Sequence, residues 1–144
     1  MTRFLIAFGF CWLIAYPLMA EGPAKIQKVA SGDITLSDAL VKDAQKIKTL
    51  FIVIYDMDSP RPMPFAATKV DLKQPPKKSF HKFDLDTTSI RQMRPGPLPK
   101  NMRIKARLDV DGSAGMDQAG DITGEVTSIK PGAKGVKILL DKKK

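Results

Sequence analysis

Nine consecutive residues, Met102 to Val110, alternate between apolar and polar without a break. Met102, Ile104, Ala106, Leu108 and Val110 fall on one side, and Arg103, Lys105, Arg107 and Asp109 on the other. A period of two is that of a β-strand, whose successive side chains point to opposite faces; a helix of 3.6 residues per turn cannot sort these residues. The segment predicts a half-buried strand with a basic outer face. A strand of this kind is stable only inside a sheet of three or more with an apolar face, so the rest of the chain must supply partners.

It offers several. Thr49 to Tyr55, TLFIVIY, is β-branched and aromatic on both faces, which predicts a central strand covered on both sides. Phe65 to Leu72, Ser79 to Leu85, Ile122 to Ile129 and Val136 to Leu140 read as further strands. In Ser79 to Leu85, Phe80, Lys82 and Asp84 fall on one face and His81, Phe83 and Leu85 on the other. Ile26 to Val29 and Ile34 to Leu36 flank Ser31-Gly32-Asp33 and read as one bulged strand or two short ones. Only Asp38 to Lys46 is helix-like, for about two turns, with Ser37 as its expected cap. Asp56 to Pro62, Pro75-Pro76, Arg91 to Lys100, Asp111 to Gly120 and Pro131-Gly132 carry the turn residues. About seven short strands with turns every 8–12 residues predict an all-β sandwich, with a small barrel as the competing architecture.

The N-terminus has the layout of a secretory signal. Arg3 precedes the uncharged apolar run Phe4 to Leu18, the small residue Ala20 follows, and Glu21-Gly22-Pro23 opens a polar segment. The run is shorter than the ~20 residues a spanning helix needs, so cleavage after Ala20 and a periplasmic location are expected. The expected organisation is a signal peptide over 1–20, a leader and the start of the first strand over 21–30, one domain over 31–141, and a frayed basic tail over 142–144. Cleavage removes the one cysteine, Cys11, and the one tryptophan, Trp12. That excludes disulfides and thiol chemistry from the exported part. The chain carries 24 Lys and Arg against 15 Asp and Glu, a net of +9. The lysines are spread along it, as on a solvated surface, and the aromatics are too few for a nucleic-acid stacking platform. Contact with a membrane is expected to be peripheral only.

Little in the sequence points to catalysis. His81 is the one histidine and sits in an expected strand, where a structural role is expected. The pairs Asp56/Asp58, Asp84/Asp86 and Asp109/Asp111 end strands, where aspartate favours turns. No Gly-x-Ser-x-Gly elbow or glycine-rich phosphate loop is present. Neither an enzyme nor a bound cofactor is expected. Soft thioethers suit cuprous ion, so a second reading remains open: a small periplasmic copper carrier of cupredoxin-like shape, using Met63, Met93 and His81.

A more specific pattern runs through four pieces: Leu50 to Val53, Arg61-Pro62-Met63-Pro64-Phe65-Ala66-Ala67, Lys105 to Leu108, and Gly120-Asp121-Ile122-Thr123-Gly124-Glu125. Together they resemble the C-terminal immunoglobulin-like domain of cytochrome c-type biogenesis proteins of the CycH/CcmI kind, from about Ser31 to Asp141. The Pro-Met-Pro and Gly-Asp-x-x-Gly-Glu pieces are the distinctive ones. The family's Met-Met-Pro-Gly-Met stretch appears here as Gln92-Met93-Arg94-Pro95-Gly96-Pro97. Family members carry membrane helices and tetratricopeptide repeats ahead of this domain, and this sequence shows neither. The resemblance implies an immunoglobulin-like β-sandwich acting as a non-enzymatic periplasmic interaction domain, an accessory in c-type cytochrome maturation. The partner it implies is a protein or an extended polypeptide, such as an apocytochrome c or an assembly factor, accepted along an exposed sheet edge. Pro62, Met63, Pro64, Phe65, Asp117, Gly120, Asp121 and Gly124 are the expected partner-binding residues. The alternative role for the same pieces is local: a rigid strand entry at Pro-Met-Pro and a turn or bulge at Gly120 to Gly124.

Overall fold

The computed structural model describes residues 25–144, so the expected signal peptide lies outside the described residues. Nine strands are present among the described residues: β1 (Lys28–Leu36), β2 (Thr49–Asp56), β3 (Met63–Asp71), β4 (Ser79–Asp86), β5 (Arg91–Gln92), β6 (Met102–Asp109), β7 (Ile122–Ile129), β8 (Ala133–Leu140) and β9 (Lys142–Lys143). Seven are eight or nine residues long, and these are the strands the sequence predicts. They form two sheets, β4-β1-β8 and β5-β3-β2-β6-β7-β9. The expected all-β sandwich is therefore the observed architecture. Among the described residues, no helix is long and apolar enough to cross a membrane.

Alternation places the core between the sheets. Ile34, Leu36, Phe83, Leu85, Val136, Ile138 and Leu140 point inward from the smaller sheet. Leu50, Ile52, Ile54, Met102, Ile104, Ala106 and Leu108 meet them from the larger one, all fully buried. β1 is a single strand with irregular register near both ends. It pairs antiparallel with β4 and parallel with β8, so the first and last long strands lie side by side.

Four expectations need correction. β2 is central in its sheet, between β3 and β6, but only one of its faces is covered by a second layer. Phe51, Val53 and Tyr55 on the other face line an open groove. Ser37 makes no side-chain cap; its backbone N–H donates to the Leu140 carbonyl at 3.0 Å, tying the chain to β8. The helix-like stretch begins instead as a 3₁₀ turn, Asp38–Leu40, followed by α1 (Val41–Ala44). The tail is not frayed: β9 pairs with Ile122 and Thr123, and the Lys144 N–H donates to the Asp121 carbonyl at 2.9 Å. Val110 lies past the end of β6 and is 56% exposed, so the inward row stops at Leu108.

Gly124 explains how the chain passes from one sheet to the other. A Cβ built there would lie 1.9 Å from the Leu139 carbonyl oxygen. The absence of a side chain lets β8 approach β7 closely, and the Asp141 N–H then donates to the Thr123 carbonyl at 3.2 Å as the chain enters β9. Gly124→Ala is expected to destabilise the domain by about 1–3 kcal/mol or more, as forced overpacking does. Gly115→Ala, with no atom within 4 Å of its Cβ, should stay within about 0.5 kcal/mol of the parent. Urea unfolding of both variants checks this, and equal midpoints would refute the close approach.

Candidate functional site

The outer face of the six-stranded sheet is organised by Arg107. Its register opposite Phe51 on β2 and Thr123 on β7 puts the side chain on the face away from the core. It is nevertheless only 5% exposed, because the loop 110–121 folds back over it. The guanidinium donates to the Gly115 carbonyl at 2.7 Å, reaches Asp109 Oδ2 at 2.9 Å and Asp117 Oδ1 at 3.2 Å, and stacks 5.2 Å from the Phe51 ring centre. One planar cation with five donors can hold several acceptors in this way; a lysine could not. Asp121, also buried, closes the loop from the other end by accepting the Val110 and Gln118 N–H groups at 3.0 and 2.8 Å. The expected basic outer face of β6 is thus covered at Arg107 and Asp109.

The anchored loop forms one wall of an open groove of about 1470 Å³. The floor is Phe51, Val53 and Tyr55 of β2, with Ala67 of β3 beside them, and the opposite wall is the segment from Thr88 to Met93. Met93 and Met116 stand at the two lips, 54% and 88% exposed. Lys69 and Arg91 are exposed on the β3–β5 side. Lys69 donates to the neutral Gly112 carbonyl at 3.1 Å, and among the described residues neither cation has a carboxylate within ion-pair distance. Just beyond, Arg103 stacks 4.2 Å from the Tyr55 ring centre. The groove is apolar along its floor and cationic at its margin.

The carboxylates around Arg107 respond to their settings in opposite directions. Burial pushes Asp109 above the usual carboxylate range, and a hydrogen bond with Asp111 adds to this. Burial also acts upward on Asp117, but the hydrogen bond and charge of Lys105, at 2.6 Å, and those of Arg107 outweigh it and hold Asp117 below that range. The backbone N–H of Ser113 holds Asp111 low. The other expected carboxylate pairs serve turns and ion pairs. Asp58 accepts the Lys100 and Asn101 N–H groups, Asp86 accepts those of Thr88 and Ser89, Asp56 pairs with Arg94, and Asp84 with Lys28.

Of the expected partner-binding residues, Pro64 and Asp117 line the groove, on different sides. Met63, 47% exposed, starts β3 next to Pro62. Phe65 is the extra residue of a β-bulge, since Ile54 pairs with Ala66 and Tyr55 with Pro64; its ring is buried in the core. Gly120, at φ +95°, makes the turn whose N–H donates to the Lys144 carbonyl. Gly120, Asp121 and Gly124 therefore shape the frame around the groove without lining it. The structure does not bring Met63, Met93 and His81 together. Met93 lies near the bulged end of β3, its N–H donating to the Phe65 carbonyl. His81 lines a small cleft with Val70 and Leu72 at the other end of that strand, about 23 Å of strand rise from Met63. Burial there lowers the His81 pKa. Among the described residues, no three His, Cys, Asp or Glu side chains converge as metal ligands would.

Sequence reasoning missed Phe51, Val53, Tyr55 and Arg107. The signal was available: TLFIVIY is apolar on both faces, yet the chain has only one short helix-like stretch to lay over the second face. A chain so poor in helix covers that face only in part, with Phe51 buried by the loop and Arg107, and with Val53 and Tyr55 half-buried.

The family model described as the cytochrome c-type biogenesis protein H Ig-like domain matches residues 31–141. No curated protein and no solved structure matches the chain.

Replacing Arg107 with methionine leaves Asp109 and Asp121 buried without their cation, at an expected cost of about 3–5 kcal/mol. Lys105→Met should cost about 1 kcal/mol or less, and chemical denaturation compares the two. The depressed Asp117 makes a separate prediction. Its ionised form favours the folded state above about pH 4, and that stability is lost as pH falls through its lower folded value. Asp117→Asn should therefore flatten the acid limb of the stability profile below about pH 4; an unchanged limb would show that Asp117 does not hold the loop.

Proposed function

This chain belongs to the family of cytochrome c-type biogenesis protein H Ig-like domains, and from that membership we propose that it is a periplasmic, non-enzymatic interaction module, an accessory in the maturation of c-type cytochromes. The observation that carries the reading is the open groove, with Phe51, Val53 and Tyr55 on its floor and methionine at both lips. An apolar face that no second layer covers is the kind of surface proteins use to bind partners. Flexible, unbranched methionines let one surface accept differing side chains. The partner is polypeptide: an apocytochrome c or a protein that handles one.

Within this reading, Pro62, Met63 and Pro64 set the rigid entry to β3 beside one end of the groove, and Asp117 holds the opposite wall through Lys105 and Arg107. Phe65, Gly120, Asp121 and Gly124 act on the partner indirectly, by fixing the bulge and the loop. Export to the periplasm follows from the N-terminal Arg3–Ala20 pattern.

The test is a haem stain of membrane and periplasmic proteins from a strain lacking the gene, beside its parent. Loss of covalently haem-bearing bands, restored when the gene is returned, is the expected outcome. Bands unchanged in intensity would remove the protein from cytochrome maturation.

A further inference from the structure

What the groove lacks identifies its occupant. The face of a sheet presents no free backbone groups, because the β3–β2–β6 ladders already pair them. An extended peptide laid on this face would bury its own N–H and C=O groups without partners, which is unfavourable. A helix brings its backbone hydrogen bonds with it. The dimensions agree. From β3 to β6 is two strand spacings, about 10 Å, against a helix diameter of about 10–12 Å. Val53 to Tyr55, the half-buried part of the floor, covers about 7 Å of strand, a little over one helical turn; Phe51 is buried beneath Arg107.

Charge narrows the choice further. Lys69, Arg91, Lys105 and Arg107 line the groove with one carboxylate, Asp117, among them. That carboxylate is already engaged by Lys105 and Arg107, while Lys69 and Arg91 face none. We propose that the groove docks one amphipathic α-helix of a polypeptide partner, its apolar stripe on Val53 and Tyr55 and its flanking carboxylates on Lys69 and Arg91. The assignment rests on the polypeptide-binding reading above and names the conformation and charge of the segment bound. Met93 and Met116 close over the helix from either side, and their flexibility lets the stripe vary in sequence.

Residues 21–144 contain no tryptophan, so a tryptophan within a synthetic helical peptide reports binding to the exported chain directly. Three peptides share one apolar stripe: the first is flanked by glutamate, the second by lysine, and the third is the glutamate peptide with a central proline. The glutamate peptide is expected to bind at least tenfold more tightly than either of the others, since proline breaks the helix. The Lys69→Glu/Arg91→Glu double variant, altered only at exposed positions, should reverse the preference between glutamate and lysine. No binding, equal binding of all three peptides, or an unchanged preference in the double variant overturns the proposal. So does binding of anionic phosphatidylglycerol vesicles without binding of the glutamate peptide, which would make the surface a lipid contact. The two readings fail separately. If the double variant loses peptide binding but still restores the haem-bearing bands, the groove is not the working site in maturation. If the peptides bind as expected while deletion leaves the bands unchanged, the helix dock stands without the maturation role.

Discussion

A guanidinium removed from water holds the outer face of this domain together. Arg107 stands on a strand whose alternation points it toward solvent, yet it is buried under the loop it anchors. A buried cation left alone would be far too costly to keep; surrounded by Asp109, Asp117 and Asp121 and by loop carbonyls, it becomes the point from which the loop is built. The C-terminus joins the same cluster, because Lys144 approaches Asp117 at 3.6 Å and its backbone pairs with Gly120 and Asp121. The groove wall, the loop and the chain end thus share one electrostatic support.

The core and the groove use the two faces of β2 differently. Leu50, Ile52 and Ile54 are sealed against the smaller sheet. On the other face Val53 and Tyr55 are only partly covered, while Phe51 is buried; Arg103 stacks on the Tyr55 ring and Arg107 on the Phe51 ring. At Tyr55 the Arg103 side chain lies along apolar surface that stays partly accessible, whereas at Phe51 the buried Arg107 seals the ring from water.

Much of the frame was legible in the sequence because strand periodicity is a local signal. Met102 to Leu108 alternates, and its inward residues Met102, Ile104, Ala106 and Leu108 are all buried. The two rows of Ser79 to Leu85 separate, with Phe83 and Leu85 buried and Lys82 and Asp84 exposed. The site was less legible because its causes are not local. Nothing near Arg107 says that residues eight and ten positions ahead will fold back to cover it. Nothing near Lys142 says that it will meet Thr123. Asp109 and Asp111 read as turn residues, and Asp117 and Asp121 as partner-binding ones; the gathering of Asp109, Asp117 and Asp121 around one arginine needs the fold. The Gly-Asp-x-x-Gly-Glu piece was singled out for binding, and its residues do structural work: a turn, a loop closure, a close strand approach, and an ion pair from Glu125 to Arg103 at 3.8 Å.

The parallel contact between β1 and β8 has a consequence in time. β1 is the first long strand to emerge during synthesis, and one of its two sheet partners, β8, is the last. Until Ala133 to Leu140 is available, β1 has only β4 beside it, and a two-stranded ribbon is marginal in water. The core halves contributed by Ile138 and Leu140 are missing over the same interval. The smaller sheet therefore cannot be completed by stepwise addition from β1, and its closure depends on a contact between residues about a hundred positions apart, of the kind that is slow to form.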